Sequence, residues 1–371
     1  FYVNLAIRKK QKNKEMEKIF DISEREYRKI GIDSYSTLKV LDESPLKYKK
    51  MFIDKEKTIV EDKNIKDELR FGNLVDCLLS NPEEKDKMFI NSTEKCPSGQ
   101  YGDFLNNLIS FSAPHIKEDV AIPPDIWANI CIKAFNKTKY NGKGTEIAYK
   151  GKTVEDVMKD FDAKIGETYF KESLEILCNN KIPIFLGEEE KAERLVAWVK
   201  NHPYTAHIFK KRAVFNQYPL IDKEGEIFGT PIKGLLDKVE YNVKERWIQP
   251  YDLKTTGMYQ LFFKNFFNLR YDIQNGVYYK LLEHFFPKWE IRPMKFIVID
   301  KSMGAAPFIL ETDKQHVNWS IQGFFYKGRH YKGINTLVQE LNYYKTSGDW
   351  ATDIELQKNN GVLKLNLFSS I

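Results

Sequence analysis

Two stretches of alternating apolar and polar residues, separated by a short polar break, constrain the fold of this chain more than any other feature. The alternation runs through residues 227–241 and again through residues 247–254. Because successive side chains of a strand point to opposite faces, this pattern predicts two strands, and the short break predicts an antiparallel hairpin. If the hairpin is symmetric about the centre of the break, Asp237 lies directly opposite Asp252.

The residues of this hairpin carry a recognisable chemistry. Asp252 and Lys254 are two positions apart and must share one face of their strand, and the register adds Asp237 at about 5 Å from Asp252. Two carboxylates so close repel each other unless a hard divalent cation, Mg²⁺ or Mn²⁺, binds between them, and the Leu253 carbonyl is a further candidate ligand. Lys254 would then lie beside an attacking water and a phosphate. The pattern predicts phosphodiester hydrolysis, although a hairpin of solvated charges would look similar, and Pro250 predicts a strand edge or bulge nearby.

A long helix is predicted after the hairpin, over residues 259–286. Arg270, Gln274 and Tyr278 recur every fourth residue, so they form one polar stripe on an otherwise apolar helix. Buried polar groups of this kind need partners. They either bond to one another and to the protein for structural reasons, or they bind phosphate and the lysine of the hairpin.

The rest of the chain predicts helices around a short sheet, which is an α/β or α+β core. Further helices are predicted over 66–80, 167–179, 187–200 and from about Trp319 or Lys332 to Tyr344, strands over 294–300 and 308–310, and a mainly helical insertion over 86–165. The domain division that follows is a basic N-terminal arm over residues 1–33, one domain over 34–362, and a tail over 363–371.

Composition excludes several classes of function. The net charge is +6, which permits a polyanionic partner without demanding one. No apolar run reaches the roughly 18 residues of a membrane span, so we expect no membrane association. The wide separation of the four cysteines indicates reduced structural thiols, and we therefore expect a cytoplasmic location. The four cysteines form no CxxC pair, the six histidines form no HxH or HExxH motif, and no Gly-rich phosphate loop occurs. These absences argue against zinc, redox and nucleotide-triphosphate sites.

The ordered set of motifs resembles a known enzyme superfamily. Gly-x-x-Asp at 234–237, Asp-Leu-Lys-Thr-Thr at 252–256 and Arg-Tyr-Asp-Ile-Gln-Asn-Gly-Val-Tyr at 270–278 are similar to the motifs of the RecB-type branch of the PD-(D/E)XK nucleases, and most similar to RecE-like, phage-type exonucleases. The likeness extends with gaps from residue 34 to residue 362. It implies a restriction-endonuclease-like core with a mixed central sheet flanked by helices and a helical insertion.

The resemblance also implies roles for individual residues. Asp237, Asp252 and Lys254 match the catalytic and metal-binding positions, and Gln274 with Tyr278 matches the QxxxY motif. Arg270, Thr255 and Thr256 become candidates for substrate binding. The resemblance further implies Mg²⁺ or Mn²⁺ as cofactor and double-stranded DNA ends as substrate, in recombination or phage replication, with a homo-oligomer and a single-strand annealing protein as partners.

Two positions depart from the family pattern. Asp76 stands where relatives usually have a histidine, and because aspartate also binds divalent ions, we expect it to replace that histidine at the metal. An ordinary polar helix residue or an impaired site are the alternatives. Gln217 stands near a position where relatives often have glutamate, and it is a looser candidate. Asp76 and the modest net charge keep a nucleic-acid-binding module without catalysis as one competing function. A structure-selective or single-strand nuclease of the same fold is the other.

Overall fold

A computed structural model of the chain describes residues 19–54, 67–92, 97–116, 122–163, 166–179, 181–211, 213–352, 354–358 and 362. Residues 1–18 of the predicted basic arm and the predicted tail over 363–371 lie outside the described residues. The chain divides into two compact units: unit 1 comprises residues 1–56 and 197–371, and unit 2 comprises residues 57–196. The helical insertion predicted over 86–165 falls inside unit 2.

The strands form one large mixed sheet and two small ones. In chain order the strands are β1 (Asp33–Ser34), β2 (Phe89–Asn91), β3 (Ile182–Ile184), β4 (Val214–Asp222), β5 (Ile232–Asn242), β6 (Trp247–Thr256), β7 (Glu290–Ile291), β8 (Lys295–Asp300), β9 (Phe308–Glu311), β10 (Gly323–Tyr326) and β11 (Arg329–Lys332). The large sheet has the order β1-β5-β6-β8-β9, with β4 also paired to β5 and β7 to β6. Its β6–β8 pairing is parallel, whereas β4–β5, β5–β6 and β8–β9 are antiparallel.

Helices make up most of the remaining described structure. They are α1 (Glu24–Lys29), α2 (Tyr35–Glu43), α3 (Pro45–Tyr48), α4 (Asp67–Ser80), α5 (Lys85–Met88), α6 (Gln100–Ser112), α7 (Pro124–Lys139), α8 (Val154–Ala163), α9 (Gly166–Asn179), α10 (Glu188–Asn201), α11 (Ala206–Phe209), α12 (Phe262–Asn268), α13 (Tyr271–Phe285), α14 (Lys314–Gln322), α15 (Ile334–Ser347) and α16 (Ile354–Lys358). None of the described helices is both long and apolar enough to cross a bilayer.

The core of unit 1 lies between the large sheet and helices α2, α13, α14 and α15. Helix α13 lies close against β5 at Gly234, where an added Cβ would come within 2.9 Å of the Tyr278 ring and 2.8 Å of Leu281. A glycine is therefore required at this crossing. The mixed sheet flanked by helices agrees with the predicted architecture, and the close approach explains the first residue of the Gly-x-x-Asp motif.

In unit 2, helices α6 to α9 pack around a second apolar core, and β2 pairs with β3 in parallel. The core is built mostly from aromatic and aliphatic side chains that recur at helical spacing. Members of this core include Phe104, Leu108, Ile130, Val157 and Phe161. These residues explain the helical periodicity of the insertion without any functional role.

The hairpin prediction is confirmed in register as well as in kind. Strands β5 and β6 pair from Asn242–Trp247 to Lys238–Tyr251, which is the register of a hairpin centred on the bond between Lys244 and Glu245. The strands predicted over 294–300 and 308–310 are also present as the antiparallel pair β8–β9. Pro250, however, lies on an interior strand. Strand β6 pairs with β7 at Ile248 and with β8 from Tyr251, so the proline falls in the gap where no ladder donor is needed.

The helix predicted over 259–286 is interrupted. It is broken between α12 and α13, where Arg270 adopts the left-handed conformation with φ 57° and precedes the first turn of α13. The last predicted helix agrees with the later of its two expected starts, because α15 begins at Ile334, close to Lys332, whereas Trp319 lies in the separate helix α14 before the β10–β11 hairpin. Phe267 of α12 packs against Phe324 and Tyr331 of that hairpin. This tertiary contact has no signature in helical periodicity.

Candidate active site

The candidate site lies where β5 and β6 separate, beyond the Lys238–Tyr251 pair; we call this opening the β5–β6 fork. Backbone pairing ends at Lys238–Tyr251, and the same register continued by one residue sets Asp237 opposite Asp252. There a side chain joins the strands, because the Leu253 N–H donates to Asp237 Oδ2 at 2.8 Å. The two aspartates therefore both lie at the mouth of the fork.

The backbone of β6 also directs a carbonyl group into the fork. In an extended strand the N–H and C=O of one residue project to the same edge, so the Leu253 carbonyl lies on the side of Asp237. Thr256, three residues after Leu253, should then point its carbonyl to the opposite edge of β6. It does so, because the Thr256 carbonyl accepts from the Lys301 N–H at 3.0 Å. Two carboxylates and one carbonyl oxygen are thus available at one place.

The buried Asp252 forms an ion pair with the partly buried Lys254 beside α13. Lys254 Nζ lies 2.5 Å from Asp252 Oδ2, and only 1% of the Asp252 side chain is exposed. The other carboxylate oxygen, Asp252 Oδ1, accepts a hydrogen bond from Gln274 Nε2. Lys254 also lies above the ring of Tyr271, 4.6 Å from its centroid. The lysine is held by a carboxylate on one side and by an aromatic face on the other.

Burial and charge act in opposite directions on Lys254. Burial disfavours the ammonium form and by itself lowers the pKa of Lys254, but the Asp252 carboxylate outweighs this effect, so the pKa is raised above its ordinary value. A lysine in this state is a cation at neutral pH. It can donate hydrogen bonds to water or phosphate, but it cannot accept a proton from the nucleophile.

The polar atoms of the cluster are incompletely satisfied. Asp252 Oδ2 and Gln274 Oε1 are buried and form no hydrogen bond, although Asp252 Oδ2 has the Lys254 ammonium as its ion partner at 2.5 Å. Buried acceptors without donors are costly and are few in native structures. A divalent cation at the fork would add positive charge beside the two carboxylates, so the donor set of Asp237, Asp252 and the Leu253 carbonyl fits Mg²⁺ or Mn²⁺.

Tyr278 lies in the same part of unit 1 but bonds to the backbone. Its hydroxyl donates to the Leu235 carbonyl at 2.8 Å, two residues before Asp237 in β5. Burial raises the pKa of the Tyr278 phenol well above its ordinary value, so the group stays neutral. Gln274 and Tyr278 therefore tie α13 to β6 and β5, respectively, and hold the two sides of the fork in position.

Arg270 does not join this cluster. Its guanidinium forms ion pairs with Asp42 and Asp272 and donates to the Lys332 carbonyl, and only 4% of its side chain is exposed. These partners already bind the guanidinium group that the sequence predicted to bind a phosphate. The geometry corrects that expectation, because Arg270 lies before α13 in a left-handed conformation and therefore leaves the predicted stripe of Gln274 and Tyr278.

The remaining predicted residues lie in varied surroundings. Thr255 and Thr256 end β6, immediately after Lys254, and the Thr256 hydroxyl accepts from the Met258 N–H at 3.0 Å. Gln217 lies in β4 across from Asp237, between the pairs Asn216–Lys238 and Tyr218–Leu236, and has φ 47°. A positive φ inside a strand is strained for a residue with a side chain, and such strain often occurs at functional sites.

Asp76 belongs to unit 2. It lies on α4, where its carboxylate accepts a hydrogen bond from Ser80 Oγ at 3.3 Å. Its role as a metal ligand stays a prediction. Among the described residues, no three side chains of histidine, cysteine, aspartate or glutamate converge as a metal-binding group.

Two residues close to the cluster were missed at the sequence level. Tyr35 begins α2 directly after β1, which pairs in parallel with the start of β5, and its ring packs edge-on against Tyr278 at 5.9 Å. Burial raises the pKa of Tyr35 to about 12. One turn later Lys39 is half-buried, and burial lowers its pKa. A two-residue strand has no periodicity, so no sequence signal could have predicted this placement.

No family model matches the chain, and no curated protein matches it. Among solved structures, the chain is similar to one named "Putative exonuclease" from Eubacterium rectale, with 14% sequence identity, coverage of 77% of this chain and 93% of that chain, and a TM-score of 0.33.

Proposed function

We propose that this protein is a metal-dependent DNA nuclease of the PD-(D/E)XK type. One observation carries the proposal: at the β5–β6 fork Asp237 and Asp252 lie beside a partly buried lysine, and Asp252 and Gln274 each have a buried oxygen that accepts no hydrogen bond. Because one lysine cannot compensate for two carboxylates, a divalent cation is the group that this set of oxygens fits.

Each residue of the cluster has a definite part in this proposal. Asp237, Asp252 and the Leu253 carbonyl would hold Mg²⁺ or Mn²⁺, which supplies positive charge to the scissile phosphate when bound. Lys254, as a cation, orients the attacking water and stabilises the negative charge that develops on the phosphate. Gln274 fixes the Asp252 carboxylate, and Tyr278 fixes β5 through the Leu235 carbonyl. Thr255 and Thr256 lie next to Lys254, where they can contact the substrate backbone.

The resemblance of the motifs extends the proposal to biology. We propose double-stranded DNA ends as substrate and recombination or phage DNA processing as context, with a homo-oligomer and a single-strand annealing protein as partners. A nucleic-acid-binding module with impaired catalysis is the alternative, and a DNA degradation assay distinguishes the two.

The direct test is degradation of end-labelled linear duplex DNA beside a covalently closed circle, with Mg²⁺, with Mn²⁺ and with a chelator. We expect metal-dependent loss of the linear DNA alone, and labels on the two ends then give the polarity. An Asp252→Asn variant, purified in parallel, is the matched control because the amide keeps an acceptor for Gln274 and removes the charge. Cleavage of both DNA forms would replace the exonuclease by an endonuclease. Binding without cleavage would overturn the proposed catalysis.

A further inference from the structure

The β10–β11 hairpin presents two different faces. Its strands are joined by a two-residue turn in which Lys327 and Gly328 have φ 48° and 73°, the geometry of a type I′ turn. On the inner face, Phe324 stacks on Tyr331 at 5.0 Å, and both rings pack against Phe267. This face fixes the hairpin to α12.

The base of the hairpin is tied to the helix that carries Gln274. The Tyr331 hydroxyl donates to Asn268 Oδ1 at 3.3 Å, and the Lys332 carbonyl accepts from Arg270. Arg270 directly precedes α13, and Gln274 lies one helical turn, about 5.4 Å, further along it. The strand ends cross so closely that a Cβ on Gly333 would lie 2.3 Å from the Gly323 nitrogen, so both positions require glycine. The hairpin is therefore rigidly placed near the candidate site.

The tip of the hairpin, over residues 325–330, is aromatic, basic and open to solvent. Phe325 is 78% exposed and lies 4.7 Å from the ring of His330, its cross-strand partner on the outer face. The exposed cations Lys327 and Arg329 lie beside the inner-face rings of the tip, where the Arg329 guanidinium is 4.9 Å from the Tyr331 centroid. Residues 323–333 include no aspartate or glutamate. A single exposed apolar residue is unremarkable in a soluble protein. Here it is joined to a second ring and to two cations on one rigid ribbon.

We propose that this tip binds an unpaired DNA strand, with a base stacked on Phe325 and His330 on the outer face and the backbone phosphates passing round the tip beside Lys327 and Arg329. Every base has a flat π face, so aromatic side chains bind single strands with little sequence preference, while flanking cations bind the phosphates. A paired duplex offers its base faces only at its end. The choice of DNA as the polymer rests on the proposed nuclease function; the stacking surface itself does not.

The test is equilibrium binding of a fluorescent single-stranded oligonucleotide, measured in chelator so that no cleavage is needed. Phe325→Ala should weaken binding about tenfold, since one base stack on an aromatic ring contributes about 1–3 kcal/mol. Phe325→Tyr should restore the affinity. Tyr204→Ala is the matched control, because Tyr204 is 61% exposed and lies 4.9 Å from the ring of His202; it should bind like the parent.

Salt dependence separates stacking from phosphate contacts. Phe325→Ala should keep the parental slope of affinity against salt concentration, whereas Arg329→Gln should reduce that slope by about 0.7. Unchanged affinity in Phe325→Ala, an equal loss for fully paired duplex, or no binding of single strands by the parent would each overturn the inference. Loss of binding in Phe325→Ala from a parent that never cleaves DNA would support the hairpin surface and refute the nuclease. Cleavage by a parent protein whose binding of single strands does not depend on Phe325 would support the nuclease and refute the hairpin surface.

Discussion

Two buried charge networks meet at the first turn of α13 and differ in how completely their polar atoms are satisfied. Arg270 bonds to Asp42, Asp272 and a backbone carbonyl, so its guanidinium has acceptors on several sides. One turn further along, Gln274 and Asp252 bond to each other, yet each keeps a buried oxygen without a hydrogen-bond donor. Both networks look equally polar and equally buried from the sequence.

The difference separates a structural role from a functional one. Removing one partner from a buried, saturated ion pair leaves a charge without compensation, which costs about 3–5 kcal/mol of folding free energy. In the Asp252 network, the folded protein already carries part of such a free-energy cost, because two buried oxygens lack hydrogen-bond donors. A bound ligand would lower that cost. We therefore expect changes in the Arg270 network to affect stability, and changes in the Asp252 network to affect activity.

The sharpest test of this contrast is Lys254→Met. Because Lys254 is a cation at the proposed site of charge development, its loss should lower the rate of DNA cleavage about 10²- to 10³-fold. Lys238→Met is the matched control: Lys238 is also a buried lysine of the same hairpin, but it points to the other face and donates to Asn216 Oδ1 at 2.8 Å. Gel assays under single-turnover conditions measure both variants. Equal losses in the two variants would contradict the assignment of Lys254.

Arg270→Gln should behave in the opposite way. Its loss leaves Asp272, which is 3% exposed, without its ion partner, so the free energy of unfolding should fall by about 3 kcal/mol. Urea denaturation measures the fall, and the cleavage rate per folded molecule should stay within a few-fold of the parent. A large loss of activity at unchanged stability would instead return Arg270 to the substrate-binding role that the sequence predicted.

The sequence predicted the part of this contrast that depends on local periodicity. Alternation along β6 placed Asp252 and Lys254 on one face, and the symmetry of the turn placed Asp237 opposite Asp252. Helical spacing also predicted a shared stripe for Gln274 and Tyr278, both of which lie in α13.

The position of Arg270 could not be predicted from helical spacing, because one left-handed residue changes the direction in which the side chain points. The β10–β11 hairpin and the placement of Tyr35 could not be predicted for a different reason. Strands of two to four residues have too few positions for a period to be visible, and their location is decided by distant partners. Whether a buried polar atom is satisfied depends on such partners too, so the sequence could not distinguish the two networks.

The smallest expected effect concerns Lys238, the buried lysine without a metal-site role. Burial, with Lys200 nearby, lowers the pKa of Lys238 to about 8, whereas an unfolded chain has a lysine pKa of about 10.4. Between these values the unfolded state binds more protons than the folded state, so this residue makes stability rise with pH. Below about pH 8, Lys238 is charged in both the folded and the unfolded state, so the full free-energy cost of burying its ammonium group lowers the stability. Lys238→Met should therefore raise the free energy of unfolding at pH 7 by about 1–2 kcal/mol, after allowance for solvent screening.

The advantage of Lys238→Met over the parent should shrink as pH rises from about 7 to about 10, because the parental lysine becomes neutral in the folded state. Urea denaturation of both proteins across this range isolates the contribution, since all other titrating groups are shared. A constant difference would mean that Lys238 keeps its charge when folded. The two buried lysines of the hairpin would then be electrostatically alike, and a nearby carboxylate would no longer explain why Lys254 alone is suited to the proposed chemistry.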